Sequence, residues 1–264
     1  GRTRDGLLPL GEILKYSKNK ADVTNSRKFT LIGDPAMKLA IPEYEVFTSQ
    51  INTHELSTGY VDTLGALQKV TVKGFVGKED GSLLNSFNGK VYPTVFDKEV
   101  SVQTLQQDSR SYAKNFKVQR NVLFKGVASV TNGQFEFTFV MPKDIDYQYG
   151  RGKISYYATD EVDTDAHGYT DQLIIGGAAP KGVVDDQGPL VEVFMNSESF
   201  VFGGQTTDDP TLLVKLSDDN GINVVGNSIG HDLTGVLDEN TQSTYVLNDF
   251  YESELDDYTK GTVR

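Results

Sequence analysis

Alternation of apolar and polar residues in the middle of the chain constrains its fold more than any other feature. In QFEFTFV a phenylalanine recurs at every second position (Phe135, Phe137, Phe139), and KVTVKGFV, GKVYPTVFD and VLFKGVASV follow the same period. Side chains alternate across a β-strand, so these segments predict strands with one face toward a core. Three rings on one face also predict burial. The chain is therefore predicted to be mainly β.

Turn signals divide these segments at the spacing of a β-sandwich. TNG precedes QFEFTFV, and Met141-Pro142 follows it. Further along, the short strands PLVEVFMN, SFVFGG, TLLVKLSD and STYVLNDFY are separated by Gly, Asn and Asp. Short strands separated in this way are typical of immunoglobulin-like folds. We expect tandem immunoglobulin-like β-sandwich domains.

The first 44 residues have a different pattern. In LLPLGEILKYSKNK the apolar positions have helical spacing, and lysines gather at the far end, where they complement the helix dipole. FTLI then predicts a short buried strand that ends at Gly33-Asp34-Pro35. Residues 1–44 are thus predicted to be a short α/β element that precedes the β-domains.

The charges of the chain are unevenly distributed. Residues 181–264 carry 16 acidic and four basic residues, whereas the first 180 carry 21 of each. Such a change in composition indicates a domain boundary, and it falls at GGAAPKGVVDDQGP. We expect a β-sandwich domain over residues 45–180 and a second, acidic and truncated β-domain over residues 181–264. The net charge of −12 disfavours nucleic acid and anionic lipid as partners.

Two scarce residue types limit the chemistry. The chain has no cysteine, which excludes disulfides and a cysteine nucleophile within it. Its histidines, His54, His167 and His231, lie far apart in sequence, so a histidine-rich metal cluster is not expected. No apolar run approaches the roughly 18 residues of a membrane-spanning helix. The glycine at position 1 and the abrupt ending YTKGTVR suggest a piece of a longer protein.

The loop TDEVDTDAHG (159–168) contains the candidate metal ligands. Alternating carboxylates in a glycine-ended loop suit calcium, and Asp160, Asp163 and Asp165 are the candidate ligands. The loop departs from the EF-hand pattern, because its glycine comes late and no bidentate glutamate follows. The alternative is a solvated acidic loop without an ion, and no other cofactor is expected.

Four other polar stretches are interpreted as structural. Asp34 is expected to bond its own turn, and Asp218 belongs to a turn in LSDDNGIN. His231 beside Asp232 has no nucleophile in a recognisable motif. YESELDDY is interpreted as an exposed acidic connector, with a tyrosine surface for a basic partner or a sugar as the alternative.

The segments LGEILKYSKN and FTLIGDPAMKLAIP resemble the end of the caspase-like catalytic domain of gingipain-type cysteine peptidases. In that family a helix leads to a last strand and a Gly-Asp-Pro turn, and an immunoglobulin-like β-domain follows. GPLVEVFMN, LSDDNGIN, SIGHDLTG and LNDFYESELDDYTKG are similar to the sortase-like branch of the family, which serves the type IX secretion system of Bacteroidetes. The resemblance covers nearly the whole chain.

The resemblance implies a role for a parent protein. The catalytic Cys and His of the family lie upstream of the Gly-Asp-Pro turn, so no catalytic residue is carried over to this chain. The parent would process the C-terminal signals of cargo proteins at the cell surface, beside other secretion components of the outer membrane, and attach the cargo to lipopolysaccharide. This chain would be an exported, non-catalytic β-domain region. An independent surface adhesion or carbohydrate-binding module is the alternative.

Overall fold

The computed structural model describes residues 7–21, 28–184, 186–224 and 232–264. Within these ranges the chain forms one α-helix, α1 (Leu10–Lys20), and 20 β-strands. The strands of the first part are β1 (Tyr44–Ile51), β2 (His54–Glu55), β3 (Asp62–Ala66), β4 (Lys69–Gly77), β5 (Gly89–Phe96), β6 (Val100–Gln103), β7 (Asn115–Val118), β8 (Val122–Lys125), β9 (Ala128–Val130), β10 (Gln134–Val140), β11 (Gly150–Arg151), β12 (Lys153–Thr159), β13 (Asp165–Thr170) and β14 (Leu173–Ala178). Those of the second part are β15 (Leu190–Met195), β16 (Leu212–Ser217), β17 (Thr234–Val236), β18 (Thr244–Val246), β19 (Tyr251–Glu254) and β20 (Asp257–Val263). The predicted mainly β fold class is confirmed.

A large sheet curls around the main core. Its strands follow the order β10-β4-β1-β13-β12-β5-β8, and β9 also pairs with β5. The parallel pair β1 and β13 is short, with partners only at Tyr44–Ala166 and Glu45–His167. A tight turn at Asn132-Gly133, both at positive φ, joins β9 to β10. The two ends of the sheet therefore lie close together.

A smaller sheet in the order β11-β14-β3 closes this core. Leu64 of β3 and Leu173 of β14 are fully buried in the same apolar cluster as Val70 and Val72 of β4. Two sheets that share one apolar interior form a β-sandwich. The hairpin of β6 and β7 forms a separate two-stranded sheet.

The three phenylalanines of QFEFTFV lie in the core, as the alternation predicts. Phe139 is fully buried, and its ring stacks on Phe124 of β8 with centroids 4.9 Å apart. Phe135 and Phe137 contact the ring of Tyr156 from β12 at 5.7 and 6.4 Å. These contacts join three strands of the curled sheet across its interior.

Gly74 on β4 makes room for one of these rings. A Cβ at Gly74 would lie 2.4 Å from the ring of Phe135. Gly74 faces the core together with Val72 and Val76, and Val76 is buried. Phe75 lies on the opposite face and stacks on Phe47 of β1, at 5.1 Å. The structure thus places Val76 in the core and Phe75 on the outer face of the sheet.

Strands of residues 190–263 form a separate sheet in the order β15-β16-β20-β19, with a β17–β18 ribbon beside it. Its apolar cluster contains Val214, Leu216, Val224, Tyr251 and Val263. The edge strand β15 leaves Val191 and Val193 exposed, although they pair with the core-facing Leu216 and Val214. The domain boundaries after residues 44 and 180 stay predictions.

Residues 7–42 contain α1 and the Gly-Asp-Pro turn. The predicted helix is present, and the N–H groups of Leu10 and Gly11 donate to the carbonyl oxygens of Met37 and Pro35, each at 2.9 Å. No residue of α1 is buried. The strand predicted at FTLI is wrong for this structure, and Ile32 is 96% exposed. A strand needs a hydrogen-bonded neighbour, and none of the described strands pairs with this segment.

Candidate functional site

The acidic loop between β12 and β13 is organised by one of its own carboxylates. Asp160 Oδ1 accepts hydrogen bonds from the backbone N–H groups of Val162, Asp163 and Thr164, at 3.0, 3.1 and 2.9 Å. The bonds from Val162 and Thr164 contribute most to lowering the pKa of Asp160 to about 2. This carboxylate therefore stabilises the loop as an anion.

Hydrogen bonds within the loop occupy carboxylate oxygens that the predicted calcium site at Asp160, Asp163 and Asp165 would need. One oxygen of Asp160 already accepts three N–H groups, and Asp163 Oδ1 accepts the hydroxyl of Thr164 at 3.2 Å. Among the described residues, no group of three or more acidic or histidine side chains is arranged to hold a metal ion. Calcium binding here stays a prediction without support from the geometry.

His54 lies beside a carboxylate in a structural contact. Its Nδ1 is 3.4 Å from Asp62 Oδ2, and its ring stacks on Tyr60 with centroids 4.0 Å apart. Asp62 also accepts hydrogen bonds from the side chain of Asn52 at 2.8 Å and from the N–H of Thr63 at 2.9 Å. These contacts tie the start of β3 to the β1–β2 turn. His231 lies outside the described residues.

The predicted turn roles of two aspartates are confirmed. Asp34 Oδ1 accepts the N–H of Ala36 at 2.8 Å, within the Gly-Asp-Pro turn. Asp218 Oδ1 accepts the N–H of Asn220 at 2.8 Å, and the following Gly221 has φ +93°. Both carboxylates are used by their own loops.

YESELDDY is not the predicted connector, although its acidic residues Glu252, Glu254 and Asp256 are exposed as expected. The stretch forms the hairpin of β19 and β20, and the Tyr251 side chain is buried in the second sheet. Burial raises the pKa of the Tyr251 hydroxyl, and the nearby Asp257 raises it further. The ring of Tyr258 lies under the ammonium group of Lys69, 5.6 Å from its centroid. Tyr251 packs in the apolar cluster of the second sheet, and Tyr258 packs against Lys69 of β4. Both tyrosines therefore contribute to packing.

The tip of this hairpin docks on the β-sandwich. The Asp256 carboxylate accepts the N–H and the hydroxyl of Ser129 at 2.7 and 2.6 Å. Ser253 Oγ accepts the N–H of Val127 at 3.1 Å, and the N–H of Asp256 donates to the Val127 carbonyl at 3.0 Å. Leu255 completes a parallel bridge with Val127. The hairpin thus joins the second sheet to β9 and to Val127, which precedes it.

The outer face of the large sheet carries a row of exposed aromatic side chains, which we call the aromatic row: Tyr92, Tyr157, His167 and Tyr169. Tyr157 of β12 pairs with Tyr92 of β5 on one side and with His167 of β13 on the other. The rings of Tyr92 and Tyr157 are 6.3 Å apart. The exposed fractions of Tyr92, Tyr157 and Tyr169 are 40%, 44% and 70%.

A groove runs beside the aromatic row, where the pairing of β1 with β13 ends. Its volume is about 630 Å³. The residues that line it are Glu45, Val46, Phe47, Lys153, Ser155, Tyr156, His167, Gly168 and Tyr169. Gly168 lets β13 approach β1 closely, since a Cβ there would lie 2.0 Å from the Val46 carbonyl oxygen. The groove therefore combines aromatic surface with hydrogen-bonding groups.

The sequence analysis missed this surface, although a signal for it is present. In GKVYPTVF, KISYYAT and DAHGYT the apolar positions predict the core, and the positions between them contain the exposed tyrosines. Repeated aromatic residues on the outward half of an alternation are the feature that could have indicated it. Which of these residues become neighbours depends on strand order.

The β-sheets and the lack of cysteine together define a class of protein. The described chain consists of two β-sheet units joined through a hairpin, with a helix and a turn in front of them. The sequence contains no cysteine, so the thiol chemistry of a cysteine peptidase has no site in it. The class is a mainly β protein with several β-sheets and no cysteine in its sequence.

Comparison with solved structures gives a particular neighbour. The chain is similar to dimeric latent PorU from Porphyromonas gingivalis, with 30% sequence identity over 97% of this chain and a TM-score of 0.54. The match covers 24% of that PorU chain, so this chain corresponds to about a quarter of it. The relationship to PorU therefore extends over both β-units and the helix in front of them.

Other comparisons add little. Spo0M, a sporulation control protein from Bacillus subtilis, is 12% identical over 67% of this chain and 68% of its own, with a TM-score of 0.29. That score is too low to support an argument about fold or function. No family model and no curated protein matches the chain.

Proposed function

We propose that this chain is the non-catalytic β-domain region of a PorU-like, sortase-type member of the gingipain-like cysteine peptidases. The observation that carries the proposal is the similarity to PorU, at 30% identity over 97% of the chain with a TM-score of 0.54. A cysteine peptidase needs a thiolate nucleophile, and this sequence has no cysteine. The parent protein would carry its nucleophile elsewhere, upstream of the Gly-Asp-Pro turn.

In this proposal the β-units position the catalytic part of the parent. The bonds of Asp256 to Ser129 and of Ser253 to Val127 support such a role, because they fix one sheet against the other. The exposed helix α1 and the turn would belong to the end of the catalytic domain. None of the described helices is long and apolar enough to cross a membrane.

The proposed location is the cell surface, in association with the outer membrane and the type IX secretion system. Partners would be other components of that system, and the cargo proteins whose C-terminal signals the parent removes. An antibody raised against this chain tests the location on intact cells of the source organism. We expect labelling that disappears when type IX secretion is disabled. Labelling that persists in such cells would contradict the location.

Processing of cargo tests the role of the region. An in-frame deletion of residues 44–263 should leave secreted cargo with uncleaved C-terminal signals, which mass spectrometry of the cargo detects. The matched control is Gly188→Ala, because a Cβ at Gly188 meets no atom within 4 Å. This control should process cargo normally. Normal processing in the deletion strain would refute the proposed role.

A further inference from the structure

We propose that the aromatic row and the adjacent groove form a binding site for a neutral oligosaccharide. The site lies on the outer face of the large sheet, next to the acidic loop, whose Asp165 precedes His167 by two residues on β13. The proposal does not rest on the proposed function of a parent peptidase, since it concerns a surface within this chain.

The first argument is the geometry of the aromatic row. Three neighbouring strands place Tyr92, Tyr157 and His167 side by side, and Tyr169 follows two residues after His167 on β13. Adjacent strands lie about 4.8 Å apart, so the row extends across the sheet as a ladder of rings. The negative face of an aromatic ring attracts the slightly positive C–H groups of a sugar. A row of rings can therefore contact successive sugars of one chain.

The second argument is the polar lining of the groove. A sugar carries many hydroxyl groups, and each of them needs a donor or an acceptor when it leaves water. Ser155, His167 and Lys153 supply donors beside the rings, and Glu45 supplies acceptors. Apolar and aromatic walls with a few convergent polar groups are typical of small-ligand sites.

The third argument is charge, which selects a neutral ligand over a charged one. Among the described residues that line the groove, Glu45 and Lys153 are the charged ones, so their formal charges cancel. At one end of the row the Lys90 ammonium and the Glu161 carboxylate also pair, at 2.7 Å. Nucleic acid likewise stacks on aromatic rings, but its phosphates require a basic groove. The chain as a whole has a net charge of −12 and would repel a polyanion.

The exposure of the rings supports a ligand in preference to a structural role. Tyr169 is 70% exposed, and Tyr157 is 44% exposed in the middle of a strand with neighbours on both sides. Exposed aromatic clusters of this kind indicate interaction sites on soluble proteins. The tyrosine hydroxyls keep such a surface compatible with water while the ligand is absent.

The test uses the whole chain and an array of immobilised hexasaccharides. The neutral probes are gluco-, manno-, xylo- and chito-hexasaccharides, and a heparin hexasaccharide serves as the anionic comparison. We expect binding of at least one neutral probe and none of heparin. Tyr157→Ala and Tyr169→Ala should each weaken that binding by about tenfold, because each removes one stacking contact. Tyr157→Phe should retain most of it, since the ring remains.

The matched control is Tyr112→Ala, which removes a tyrosine that is 75% exposed in the loop between β6 and β7. It should bind like the wild type. Thermal melting verifies that each variant is folded, which we expect because the altered side chains are exposed. Three outcomes would overturn the proposal: no neutral probe binds, heparin alone binds, or folded Tyr157→Ala and Tyr169→Ala bind as tightly as the wild type.

Discussion

The β-sandwich of residues 44–178 and the sheet of residues 190–263 differ in how completely they bury their apolar faces. The sandwich has two sheets around one core, in which Phe139, Leu64 and Ile175 are fully buried. The second unit has a small cluster and an edge strand whose Val191 and Val193 remain exposed. The sandwich therefore supplies its own stability, whereas the second unit gains part of its order from the hairpin that docks on the sandwich.

A large-to-small substitution in the sandwich core should have the largest effect. Phe139→Ala removes a fully buried ring that stacks on Phe124 at 4.9 Å, so the free energy of unfolding should fall by about 3–5 kcal/mol. Chemical denaturation measures this change in the free energy of unfolding. Phe116→Ala, in the exposed β6–β7 hairpin, should change it by less than about 0.5 kcal/mol. Equal losses in the two variants would show that this core does not dominate stability.

The close approach of β1 and β13 is the next most sensitive point. Gly168→Ala places a methyl group 2.0 Å from the Val46 carbonyl oxygen, so the strands must move apart, at a cost of about 1–3 kcal/mol. Thermal melting compares the melting temperature of Gly168→Ala with that of Gly188→Ala. The second variant meets open space and should melt like the wild type. Identical melting of the two variants would refute the contact.

Loss of the hairpin bonds should affect the second unit more than the first. Asp256→Ala leaves the N–H and hydroxyl of Ser129 without their carboxylate partner, a loss of about 1 kcal/mol. Amide hydrogen exchange should accelerate in β19 and β20 and stay unchanged in β4. Asp209→Ala, which removes an exposed acid of equal charge, is the control. Unchanged exchange in β19 and β20 would mean that the junction adds nothing to the order of the second unit.

The smallest effect should be the pH dependence of the acidic loop. The folded-state pKa of Asp160 is lowered to about 2, below the value near 3.9 of an unfolded aspartate. Its contribution to stability is therefore complete above about pH 4 and is lost as the pH falls through about 2. Asp160→Asn should be slightly less stable than the wild type at pH 7, and the two should converge near pH 2 in denaturation experiments. A difference that persists unchanged to pH 2 would exclude the charge as its cause.

Sequence reasoning succeeded where a pattern is local. The alternation in QFEFTFV places Phe135, Phe137 and Phe139 on one face, and that face is the core. Asp34 and Asp218 bond N–H groups two residues away, so their turns could also be predicted. The strand prediction failed at FTLI, because a strand requires a hydrogen-bonded partner strand that a single segment cannot supply.

The remaining features depend on contacts between distant segments. Asp256 and Ser129 are 127 residues apart, and nothing near either residue indicates their bond. The aromatic row likewise consists of residues on β5, β12 and β13, whose order in the sheet is not their order in the chain. Side-chain periodicity and turn residues are properties of short segments, and the lack of cysteine is a matter of composition. The sequence by itself therefore determined the mainly β fold and the absence of thiol chemistry within the chain. Strand order and register arise only when distant segments pair, so only the tertiary structure decided the docking of YESELDDY and the position of the aromatic row.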